Sequence, residues 1–99
     1  MKNQIRKSNK LVISVEKSVC IEFGDIKPKD LVKKSRYPKY TYPRFVIWYI
    51  LNHKYGMNTS YIGKIYNKHY TTIDYGIKRV IDLNLVRFIP TQHWPYTCW

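Results

Sequence analysis

The first third of the chain carries an apolar stripe with the period of an α-helix. Its members recur at steps of three and four residues, which places them on one helical face. They are Val12, Val15, Val19 and Phe23. Gly24 follows directly and is a natural helix end. The pattern predicts a first helix over residues 11–23. A β-strand is the alternative for this segment, because the stripe is rich in β-branched residues.

The middle of the chain is its most apolar part. Pro28 can open a short helix of one or two turns within a basic segment. Residues 35–42 indicate a loop punctuated by Pro38, and Pro43 suits the first turn of the next helix. That helix, over residues 43–55, has apolar side chains on every side. We therefore expect it to be the central, most buried helix.

The pattern that follows is that of two helices joined by a tight turn. A short helix ends at Tyr66, residues 67–69 form the turn, and a longer helix follows. The candidate N-caps of the two helices are Thr59 or Ser60 and Thr71 or Thr72. The longer helix has an apolar stripe of Ile73, Ile77, Val80 and Ile81. Its other face carries Thr72, Asp74, Tyr75, Lys78, Arg79 and Asp82. This order is typical of a helix-turn-helix, so the predicted fold class is all-α, with four to five helices.

These elements predict a single domain, for which 99 residues suffice. We expect a mobile basic arm at residues 1–10, a helical domain at residues 11–87, and an aromatic tail at residues 88–99 that packs on the domain or on a partner. No signal peptide is visible, and no apolar run approaches the ~20 residues of a membrane span. Cys20 and Cys98 have no neighbours at metal-ligand spacing, which favours a reducing, cytoplasmic setting.

Charge narrows the choice of partners. The net charge is +12, and residues 31–73 contain no acidic residue. The basic residues of that stretch are Lys33, Lys34, Arg36, Lys39, Arg44, Lys54, Lys64 and Lys68. Phosphate backbones and anionic membranes are the two partners that such a charge favours. A soluble basic protein without a special partner is the alternative.

Nothing in the sequence predicts catalysis. His53, His69 and His93 have no catalytic or metal-binding neighbours, and no serine or cysteine has a plausible base and orienting acid. No glycine-rich phosphate loop occurs either. We therefore expect a protein that is not an enzyme, with no cofactor, metal or small-molecule substrate.

The segment KHYTTIDYGIKRV, residues 68–80, resembles the signature of the C-terminal DNA-binding domain of the bacterial replication initiator DnaA. That signature reads R-D-H-T-T-V before a helix that ends in basic residues. Upstream, YIGKIY resembles the family's E-I-G-x-x-F, and PRFVIWYIL its P-R-Q-x-A-M-x-L. SRYPKYTYPR and VCIEFGDIKPKDL resemble its basic loop and its first helix with the following turn. The resemblance covers residues 12–83, with single-residue deletions before Ile62 and before His69. It implies a stand-alone helix-turn-helix domain that binds duplex DNA.

The resemblance assigns roles to individual residues. Thr71 would contact a phosphate and Thr72 a base methyl group, while Arg44 and Lys68 match two arginines of the family that hold phosphates. The predicted phosphate contacts are Lys33, Lys34, Arg36, Lys39, Arg44, Lys64, Lys68 and Thr71. The first turn of the second helix faces the major groove, and the next exposed position lies one turn on. The predicted base-reading residues are therefore His69, Tyr70, Thr72 and Tyr75.

Purely structural roles are the alternatives for several of these residues. The threonines can serve only as helix caps, the two tyrosines can pack at the rim of the domain, and the basic residues 33–39 can form a solvated loop.

Three positions depart from the family that the chain resembles. His69 stands where the family has an aspartate, and Tyr70 stands where it has a histidine. Tyr42 stands where many members have an arginine that enters the minor groove. The DNA box of the family is therefore not the expected target.

The predicted function is duplex DNA binding in replication or transcription control, whether cellular, plasmid or phage. Two alternatives stay open. One is an interaction or virion-associated scaffold protein that keeps the fold but has lost base readout, with the aromatic tail as a contact for a protein partner. The other is an RNA-binding protein, because lysine and arginine bind the phosphates of either duplex.

Overall fold

Every regular element of the described chain is helical. The computed structural model describes residues 9–24, 26–32 and 37–90. Its α-helices are α1 (Lys10–Phe23), α2 (Pro38–His53), α3 (Thr59–Tyr66) and α4 (Tyr70–Asp82). Short 3-10 helices, Pro28–Val32 and Leu85–Phe88, follow α1 and α4. The predicted all-α fold with a helix-turn-helix is confirmed. None of the described helices is both long and apolar enough to cross a membrane.

Helix α1 forms where its apolar stripe predicts it. The three valines of the stripe are fully buried. Asn9 caps the helix, because its side-chain oxygen accepts a hydrogen bond from the N–H of Val12 at 3.2 Å. Gly24, with φ +87°, follows the last turn. Phe23 stacks on Phe88 with ring centroids 4.4 Å apart, so the first residue of the predicted tail packs on α1. The rest of that tail from residue 91, and residues 1–8 of the predicted arm, lie outside the described residues.

Helix α2 begins at Pro38 and not at Pro43, so the loop prediction is wrong for residues 38–42. Tyr37 is extended, and its carbonyl accepts a hydrogen bond from the N–H of Tyr40 at 2.9 Å. Either proline suits the first turn of a helix, and the pattern alone does not choose between them. The earlier start lets Tyr40 and Tyr42 pack against the core. Pro43 then lies inside the helix, where it donates no backbone hydrogen bond.

The centre of α2 is buried on all sides, as the sequence predicted. Six consecutive side chains are at most 2% exposed. They are Val46, Ile47, Trp48, Tyr49, Ile50 and Leu51. Each large apolar side chain that is fully buried contributes about 1.5–3 kcal/mol to folding. This run therefore supplies a large part of the core, and the other helices pack around it.

A buried polar contact joins α1 to α3. The hydroxyl of Tyr66 donates a hydrogen bond to the carboxylate of Glu16, and both side chains are buried. The sequence pattern does not predict this hydrogen bond, because nothing in it distinguishes Glu16 from an exposed acidic residue next to the apolar stripe of α1. A buried carboxylate is costly unless it is hydrogen-bonded. The contact therefore constrains how α3 sits on α1.

Helix α4 lies against α2 at a glycine. A Cβ atom at Gly76 would come within 2.6 Å of ring atoms of both Phe45 and Trp48. The buried stripe of α4 consequently runs through Gly76 and not through Ile81, which is 58% exposed. Ile81 has the spacing of the apolar stripe but lies outside the core. Ile81 lies about 100° around the helix from Val80, on the side away from Gly76.

Candidate nucleic-acid interface

The turn between α3 and α4 is held by backbone contacts to one glycine. Helix α3 ends at Asn67, whose φ of 57° and ψ of 47° are left-handed. The N–H of Lys68 then donates to the carbonyl of Gly63 at 2.8 Å. A Cβ atom at Gly63 would lie 2.5 Å from the carbonyl oxygen of Lys68. The turn predicted at residues 67–69 is confirmed, and it folds back on α3 so closely that the position requires glycine.

The N-caps of both helices differ from the predicted ones. The side-chain oxygen of Asn58 accepts from the N–H of Tyr61 at 2.8 Å, and the Nδ1 of His69 accepts from the N–H of Thr71 at 3.3 Å. The predicted caps are wrong, because each lies inside the first turn of its helix. They are Thr59, Ser60, Thr71 and Thr72. Asparagine is as good a cap as serine, so Asn58 was visible in the sequence, whereas a histidine cap has no such signal.

The predicted base-reading residues lie together at the N-terminal end of α4, and all are exposed. They are His69, Tyr70, Thr72 and Tyr75. The rings of His69 and Tyr70 lie against each other, with centroids 4.6 Å apart and planes tilted by 33°. Thr72 and Tyr75 are three residues apart and share one face of the helix. The opposite face is buried through Ile73, Gly76, Ile77 and Val80. The helix thus presents one polar and aromatic face while its other face holds it to the domain.

Tyr75 packs against the domain and is also exposed. Its ring meets the ring of Phe45 edge-on at 6.1 Å between centroids, and the guanidinium of Arg79 lies 5.9 Å from its centre. The residue is nevertheless 59% exposed. Tyr75 therefore packs at the rim of the domain with one edge and leaves most of its ring open to solvent.

Two of the predicted phosphate contacts flank this face. Lys64 and Lys68 are exposed, and they line an open groove along the turn together with His69 and Tyr70. Lys39 is also exposed, at the start of α2. The predicted contacts Lys33, Lys34 and Arg36 lie outside the described residues. The groove thus brings two lysines together with the rings of His69 and Tyr70.

Arg44 differs from these lysines because it is only 6% exposed. Its Nε donates to the carbonyl of Tyr40 at 3.2 Å, one helical turn earlier. Burial lowers the pKa of the Arg44 guanidinium below its ordinary value. A phosphate contact would require this side chain to leave its place. In the structure, Arg44 supports α2 and does not contribute to an exposed cationic surface.

Thr71 is exposed, but its backbone N–H and its hydroxyl group both contact His69. Its N–H donates to Nδ1 of His69, and its hydroxyl oxygen lies 2.9 Å from the same nitrogen. A phosphate oxygen accepts hydrogen bonds and therefore needs a donor. The hydroxyl of Thr71 has to turn away from His69 before it can serve a phosphate.

Other sites are not evident in the described part of the chain. Cys20 is a buried free cysteine, and Cys98 lies outside the described residues. Within residues 9–24, 26–32 and 37–90, no three His, Cys, Asp or Glu side chains are grouped in a way that could hold a metal ion.

The helices and the exposed face of α4 define a protein of the helix-turn-helix class. The family model of the bacterial dnaA protein helix-turn-helix matches residues 12–80, which is most of the chain. The chain belongs to this family, and the resemblance seen in the sequence is confirmed. Membership indicates DNA binding by a domain of a non-catalytic type. No solved structure matches the chain.

Proposed function

We propose that the protein binds duplex DNA by placing α4 in the major groove, in the control of replication or transcription. The observation that carries the proposal is the two-faced character of α4. Its first two turns expose His69, Tyr70, Thr72 and Tyr75, while its other face is buried against α2. A recognition helix needs this combination, because base edges are reached by side chains on a helix that is itself rigidly held.

The cations beside this face support the proposal. Lys64 and Lys68 line one groove with His69 and Tyr70, so in the proposed complex they meet the phosphates beside the major groove. The proposed phosphate contacts extend to Lys33, Lys34 and Arg36 before α2 and to Lys39 in its first turn. Thr71 joins them if its hydroxyl is released from His69. Arg44 has a supporting role in this proposal, because of its burial.

The experiment is a gel-shift titration of the full chain with duplex DNA and with duplex RNA at several salt concentrations. Each phosphate that a protein cation neutralises adds about 0.9 to the slope of log affinity against log salt. The double variant Lys64→Ala with Lys68→Ala should therefore lose about 1.8 from this slope. Lys54→Ala is the matched control, because Lys54 is an exposed lysine at the end of α2, outside the groove. It should leave the slope unchanged.

The outcomes separate the candidate functions. Salt-dependent binding to duplex DNA that weakens in the Lys64/Lys68 variant supports the proposal. Equal or stronger binding to duplex RNA favours an RNA-binding protein. No shift of either duplex at micromolar protein in low salt overturns the proposal and favours an interaction or scaffold protein.

A further inference from the structure

The imidazole of His69 caps the start of α4 through its Nδ1. Its Nδ1 receives the N–H of Thr71 at 3.3 Å and lies 2.9 Å from the hydroxyl oxygen of Thr71. A backbone N–H can only donate, so Nδ1 has to offer a lone pair. The neutral ring then carries its proton on Nε2. The hydroxyl of Thr71 is in turn a donor to Nδ1.

The ring is also held in place. The cap hydrogen bond fixes one side of the imidazole, and the ring of Tyr70 lies against it at 4.6 Å between centroids and 33° between planes. His69 is exposed and lines the groove beside Lys64 and Lys68. Within the described part of the chain, no group accepts a hydrogen bond from Nε2. The Nε2–H is therefore a donor at the start of the proposed recognition helix, on a ring that two contacts hold.

This donor reverses the chemistry of the aspartate that the family has at this position. An aspartate accepts a hydrogen bond in the major groove, and its usual partner is the amino group of cytosine. An N–H donor needs an acceptor, and guanine offers two of them, N7 and O6, on its major-groove edge. Because the cap hydrogen bond occupies Nδ1, His69 has no lone pair left with which to receive the cytosine amino group.

We propose that His69 selects a guanine through Nε2–H at one position of the DNA site, and so sets a base preference opposite to that of an aspartate at the same place. The inference rests on the proposed function, since it concerns the same face of α4. It adds the polarity of the contact and the base that the contact favours.

The experiment compares DNA sequences selected from a random duplex pool by the natural chain and by His69→Asp. Aspartate is a good N-cap, so this variant keeps the start of α4 while it changes a donor into an acceptor. We expect one guanine in the selected site to become cytosine on the same strand, with the other positions unchanged. Exchange of that single base pair should alter the affinity of the natural chain by about tenfold. Lys64→Ala is the control: it should weaken binding to every sequence and leave the preferences as they are.

Two results overturn the inference, and they differ from failure of the proposed function. If both proteins bind DNA and select the same base at every position, His69 does not read a base. If nitrogen-15 NMR of the free protein at neutral pH shows the His69 proton on Nδ1, the polarity is wrong, whatever DNA is bound. If the tautomer is as expected but no duplex is bound, the proposed function fails and the inference fails with it.

Discussion

Helices α2 and α4 pack against each other, yet they differ in solvent exposure. Helix α2 buries six consecutive residues, 46–51, and so has no free face at its centre. Helix α4 buries one face, through Ile73, Gly76, Ile77 and Val80, and leaves the side chains between them exposed or half-buried. We therefore expect the two helices to have different roles. Changes at the centre of α2 should alter stability, whereas changes on the open face of α4 should alter recognition.

The largest expected effect is in α2. Trp48→Ala should lower the free energy of unfolding by about 3–5 kcal/mol, because it removes a large side chain that is 2% exposed. Trp48→Phe is the matched control: it keeps a ring in place, and no group among the described residues accepts from the buried indole N–H. It should cost distinctly less. Urea denaturation followed by circular dichroism measures both variants. A loss under about 1 kcal/mol for Trp48→Ala would contradict the central place of α2, since that is no more than an ordinary substitution costs.

An intermediate effect on stability is expected at Arg44, and it should distinguish this residue from Lys64. Arg44→Ala should lower the free energy of unfolding by about 1–3 kcal/mol, because it removes a side chain that is 6% exposed together with its hydrogen bond to the carbonyl of Tyr40. Lys64→Ala should change it by less than about 0.5 kcal/mol, since Lys64 is exposed, and should weaken DNA binding instead. Thermal unfolding and gel-shift titration of both variants test the pair. The supporting role of Arg44 would be wrong if its variant were fully stable but bound all DNA sequences more weakly.

On the open face of α4, the effect on stability for each side chain removed should be smaller than that of Arg44→Ala. Tyr70→Ala with Tyr75→Ala removes two exposed rings whose contacts to His69 and Phe45 contribute about 0.5–1.5 kcal/mol each. The double variant should therefore remain folded, lose its preference between DNA sequences and keep salt-dependent binding to any duplex. Selection from a random pool, with circular dichroism as the check on folding, measures this. If the folded double variant still selects the same sequences, α4 does not read the bases, and residues 1–10 become the better candidate.

The sequence-based predictions were wrong at positions where the local sequence supports two alternatives equally well. Pro38 and Pro43 both suit the first turn of a helix, and only the packing of tyrosines between them against the core decides for Pro38. Ile81 fits the spacing of the apolar stripe, but the place of Gly76 against α2 turns the buried face away from it. Thr71 and Thr72 are residues of a type that caps helices well, but the N-cap is His69 and the helix starts at Tyr70.

The sequence by itself determined the helices, their order, the tight turn after Tyr66 and the face of α4 that stays open. These features follow from local physics: the period of the apolar residues, the freedom of glycine and the charge of each segment. Only the tertiary structure decided which polar groups are buried and where each hydrogen bond goes. Arg44 and the lysines are alike in sequence, but among the basic residues that the structure describes, only Arg44 is buried. The cap of α4 is a further case, because the Nδ1 of His69 accepts from the N–H of Thr71 at 3.3 Å and the sequence did not predict a histidine cap.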